Sequence, residues 1–169
     1  MRLQRALVIG CAVTMLLGAC GDDDDADDDG TEDTLPGGEE GGEATDDAVA
    51  LTVAPLTGAA EVPGPGQTNA TGTVDRLEVT ASQVCITVSV DGLDTPATAA
   101  HVHSGGPTES GPPVVNFGDP ADAAAGSWDT CVDVDEATRT GIVQNPTAYY
   151  VNVHTTTFPN GAVRGQLTG

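Results

Sequence analysis

From residue 48 to the end of the chain there is no lysine, and only three arginines (Arg76, Arg139, Arg164) stand against twelve acids. A duplex is held by Lys and Arg on its phosphates, so this surface would repel nucleic acid. Beyond the first twenty residues no apolar run is long enough to cross a membrane. No C-x-x-C occurs, which argues against a thiolate metal site. No Ser-His-Asp or Cys-His arrangement is visible, and no carboxylate pair is set apart by a motif, so no catalytic residue is assigned. Long helical periodicity is missing as well. Histidine occurs only three times in 169 residues.

What is present begins with the N-terminus, "MRLQRALVIGCAVTMLLGAC". Arg2 and Arg5 make a basic start, and Ala6 to Leu17 form an apolar run too short to span a bilayer. This is the pattern of a secretory signal, expected over 1–19. It ends in Leu17-Gly18-Ala19-Cys20, which resembles the bacterial lipobox and implies a lipid on Cys20. Acyl chains contribute roughly 0.8 kcal/mol per buried CH₂, so they would anchor the chain to the membrane of the cell envelope. Residues 20–47 then carry 14 of the chain's 26 acids and no basic residue. Such a stretch buries too little apolar area to offset ordering entropy and reads as a disordered tether. Its aspartates offer no D-x-[DN]-x-[DN]-G loop followed by the Glu that specific calcium binding requires.

Residues 48–169 suit one domain with a single core. Period-two alternation marks strands in "AVALTVAPL" (48–56), "GTVDRLEVT" (72–80), "QVCITVSVDGL" (83–93), "TAAHVH" (98–103), "GSWDTCVDV" (126–134), "AYYVNVHT" (148–155) and "GAVRGQLT" (161–168). "PPVVNF" (112–117) reads as a short edge strand because of its prolines. Asp135 could cap a short helix over 135–145. The fold class expected is all-β, a Greek-key antiparallel sandwich or barrel of about seven or eight strands.

Cys85 and Cys131 are the two cysteines of this domain, and both fall on the polar faces of their strands. In an exported protein an even pair reads as a disulfide, here stapling neighbouring strands; two inert buried thiols are the alternative. Closing a loop of about 46 residues would stabilise the fold by roughly 4 kcal/mol on the chain-entropy account.

In Ala100-His101-Val102-His103 both imidazoles face one way and Val102 the other. In Tyr150-Val151-Asn152-Val153-His154 the valines face one way, and Tyr150, Asn152 and His154 the other. If the valines are core and the two strands pair, His101, His103 and His154 converge. Three neutral imidazoles suit copper or zinc and leave a position for water. The competing reading is a histidine-rich hydrogen-bonding network that serves only the loops.

"LTGAAEVP" (56–63), "TAAHVHSGG…GPPVV" (98–115) and "AYYVNVHTTTFPNGAVRGQL" (148–167) resemble the motifs of the CHRD domain family, named for chordin and widespread in bacterial secreted proteins. The resemblance implies a β-sandwich of loosely defined molecular function. It places Glu61, His101, His103, His154 and Arg164 at motif positions. Chordin's role as a growth-factor antagonist does not transfer to a lipid-anchored bacterial protein. "AHVHSGG" is also locally similar to the His-Val-His copper motif of copper–zinc superoxide dismutases, although the rest of that ligand pattern is missing. Glu61 and Arg164 are structural candidates, as a buried ion pair or as separate hydrogen-bonding groups. The expectation is therefore an extracytoplasmic binding module without catalysis, with an unknown protein or small ligand as its partner. A copper- or zinc-binding protein and a structural or adhesive envelope protein stand as alternatives.

Overall fold

The computed structural model describes residues 48–120 and 126–169. The expected signal peptide, the lipidation position Cys20 and the acidic tether lie outside the described residues. The described chain forms ten antiparallel strands: β1 (Val49–Ala50), β2 (Thr52–Val53), β3 (Leu56–Thr57), β4 (Thr71–Val79), β5 (Gln83–Asp91), β6 (Ala97–Ser104), β7 (Pro113–Asn116), β8 (Trp128–Asp133), β9 (Tyr149–Thr155) and β10 (Val163–Thr168). One nine-residue helix, α1 (Glu136–Gln144), joins the series. It starts where the side chain of Asp135 accepts from the Thr138 N–H, as an N-cap should.

The strands run in space β7-β6-β9-β10-β3-β4-β5-β8. Neighbours that are distant in sequence, such as β6 beside β9 and β10 beside β3, require Greek-key crossovers. Val102, Val115, Val151 and Val153 from one end of this order share a single buried cluster with Leu77, Ile86, Val88 and Trp128 from the other. The sheet therefore curls on itself into a nearly closed, barrel-like layer around one core. The alternation read in the sequence explains the packing. Val84, Ile86, Val88 and Val90 of β5 are all buried, while Ser89 and Asp91 between and beyond them are exposed.

The first expected strand is broken into three. β1 pairs with β4 and β2 with β10, while β3 pairs with both. The segment alternates its bonds, Leu51 N–H to Leu77 O on one side and Ala54 N–H to Gln166 O on the other. Pro55 has no N–H to offer either neighbour, so no long ladder can form there. Cys85 and Cys131 stand directly opposite each other on β5 and β8 and form a disulfide. Cys131 lies on the exposed face of its strand, whereas Cys85 is buried despite its polar-face position.

Candidate metal centre

β6 and β9 pair along their whole length, with His101 opposite Asn152 and His103 opposite Tyr150. β10 continues the same rows, Arg164 opposite Asn152 and Gln166 opposite Tyr150. The result is a polar grid on the sheet face that turns away from Val102, Val151 and Val153. His101–Asn152–Arg164 form one row and His103–Tyr150–Gln166 the next. His154 lies two residues beyond Asn152, on the same face.

This outer face is not wet. Asn152 and Arg164 are each 1% exposed, His154 8% and His103 9%. Loops cover it, and the grid itself holds them. Arg164 donates to the carbonyls of Gly106 (2.7 Å) and Glu109 (2.8 Å) and to Gln166 Oε1 (3.0 Å). Its guanidinium lies 3.5 Å over the centre of the Tyr150 ring, and Tyr150 stacks on His103 with ring centres 5.0 Å apart. Gln166 donates to the carbonyls of Gly105, Thr147 and Tyr149.

The three imidazoles converge. One nitrogen from each of His101, His103 and His154 lies within 4.8 Å of the others. The rest of the ring chemistry fits that meeting. His103 Nδ1 sits 2.8 Å from the Gly111 carbonyl oxygen and His154 Nδ1 3.0 Å from that of Pro159. A carbonyl only accepts, so each Nδ1 carries the proton and each Nε2 keeps its lone pair. Those two Nε2 atoms and His101 Nδ1 are buried without a hydrogen-bond partner. Burial lowers the proton affinity of all three rings. His101 falls to about 4, by burial first and then by the neighbouring His154 and His103. His103 and His154 shift the same way for the same first cause, while their carbonyl partners oppose it. The rings are thus neutral at physiological pH, the protonation state a metal requires.

Metal–imidazole bonds of 2.0–2.1 Å set tetrahedral ligand atoms about 3.3 Å apart. The set as it stands is wider than that, its nitrogens lying within 4.8 Å of one another. Cys85 and Cys131, the cysteines among the described residues, are tied up in the disulfide between β5 and β8. The donor set is all nitrogen and neutral, which suits zinc or copper rather than calcium or magnesium.

Glu61 and Arg164 are both buried as separate groups, and no direct ion pair joins them among the described residues. Arg164 is spent on loop carbonyls. Glu61 accepts a 2.8 Å hydrogen bond from Asn152 Nδ2. Burial raises its carboxyl to about 7, against the charge of Arg164 and the bond from Asn152. Gln166 escaped the sequence reading, although it shares the face of Arg164 by period two. The carbonyls of Gly111 and Pro159 carried no signal, because any residue supplies one.

A family model described as the CHRD domain matches residues 52–167. No curated protein and no solved structure matches the chain.

Proposed function

We propose, from the premise that this chain belongs to the CHRD domain family, that it is an extracytoplasmic binding module whose function is to hold one transition-metal ion, copper or zinc, on His101, His103 and His154. The observation that carries the reading is the convergence of three imidazoles, each of which also has one nitrogen buried without a hydrogen-bond partner. A loop-supporting network accounts for the Nδ1 bonds of His103 and His154 and leaves the opposite nitrogens unexplained. Leaving buried polar atoms unpaired costs free energy, and a metal ion removes that cost at all three together. The two carbonyl partners do what outer-shell groups do in metal sites: they fix the tautomer and the ring orientation. The disulfide supports an oxidising compartment. The lipobox-like Cys20 and the acidic stretch after it support attachment to the envelope membrane by a tether.

The test is equilibrium dialysis of the whole chain against copper or zinc, beside His103→Ala and His154→Ala. The expected result is one ion per parent chain and at least a hundredfold weaker binding in each variant. Equal uptake by parent and variants, or none by the parent, contradicts the reading.

A further inference from the structure

We propose that Asn152 is a positioning residue that holds a small protic ligand, water in the resting protein, at the fourth coordination position of the metal, accepting its hydrogen on Oδ1. The inference rests on the metal-binding reading above and adds to it the class of ligand the site selects.

Five buried side-chain atoms of the described residues have no hydrogen-bond partner. Three are the imidazole nitrogens, and a fourth is Asn152 Oδ1. The fifth, Gln67 Oε1, belongs to a side chain whose amide donates to Gly92 O and is directed there. Asn152 is the cross-strand partner of His101 and lies two residues before His154, so two of the three proposed ligands flank it on one face. Its carboxamide is held in one orientation. Nδ2 donates to Glu61 Oε1 at 2.8 Å, and the two arms of an amide diverge, so Oδ1 is turned away from Glu61. Gly161 closes the Glu61 side: with φ +136°, it packs where any Cβ would collide with Asn152 Nδ2 and the Glu61 carboxyl.

Three imidazoles leave a tetrahedral ion one open position. Once the rings bind metal, none of their nitrogens can accept a hydrogen from a ligand placed there. The buried amide oxygen beside them can. Ligands that bring a hydrogen on the donor atom satisfy both the metal and Asn152, whereas an aprotic anion such as azide satisfies only the metal.

The test uses the whole chain loaded with Cu(II). Relaxation of solvent protons reads exchangeable water on the ion, and the azide-to-copper charge-transfer band reads displacement of that water. The parent should show a water contribution that azide removes. Asn152→Leu, once loaded with copper, should bind azide about three- to tenfold more tightly, since the displaced water has lost one hydrogen bond. Equal azide affinity in parent and variant overturns the inference. If the variant does not fold, the parent alone decides: bound copper without azide-displaceable water refutes this inference and leaves metal binding standing. A parent that takes up no copper refutes the reading beneath it as well.

Discussion

At His103 and His154 a backbone carbonyl decides which ring nitrogen keeps its lone pair, and burial decides that the ring stays neutral. Burial has a cost that pH reveals in the metal-free protein, and the carbonyl bonds offset part of it. Each folded imidazole binds its proton less readily than in the unfolded chain, where the value is near 6.5. The unfolded state therefore takes up protons first as pH falls. Stability that is present above about 6.5 is lost on the way down, for His101 toward about 4. Glu61 works in the opposite sense. Its folded carboxyl titrates near 7 against an ordinary 4.5, so its contribution is full below 4.5 and is lost as pH rises through 7. Three imidazoles outweigh one carboxyl, and the urea midpoint should drop between pH 6.5 and 4.5. Glu61→Gln, which keeps an acceptor for Asn152, should make that drop steeper. Parallel pH profiles for parent and variant would contradict the opposing roles.

At the scale of elements, two strands made the site legible. Period two in "AHVH" and "YVNVH" is enough to set the histidines opposite the valines, and the observed register of β6 against β9 brings them together. The same alternation gave the core face of β5. The covering loops were not legible. Nothing in the local sequence of 105–111 tells that Arg164, more than fifty residues later, will bind its carbonyls. Nor does "AVALTVAPL" announce that it changes partners between β4 and β10, because that depends on strands formed far along the chain. The direct Glu61–Arg164 pair failed for a related reason: loop carbonyls and an asparagine satisfied the two groups separately. The separation of site and staple yields a further expectation. Cys131→Ser opens the β5–β8 bridge and should lower stability by up to about 4 kcal/mol. Its metal affinity should equal the parent's, because the bridge joins β5 and β8 and none of the three histidines lies on either strand. A parallel loss of metal affinity, measured by competition with a chelator, would show that the two are coupled.

For the whole molecule, the disulfide-stapled barrel supplies a rigid layer, and the loops over one face of β6, β9 and β10 turn that face into a dry, polar second interior. An ion bound there and absent from the unfolded chain adds its binding free energy to the stability of the fold. The chain's net charge of −21 favours the approach of cations over anions. The account stands or falls on the three imidazoles acting as one ligand set. X-ray absorption at the metal edge of the loaded protein measures this most directly. It should show three imidazole nitrogens at about 2.0 Å, with the multiple-scattering pattern of histidine rings, and one light fourth ligand. A shell of sulfur or carboxylate oxygen, or a histidine count that His154→Ala leaves unchanged, would contradict it.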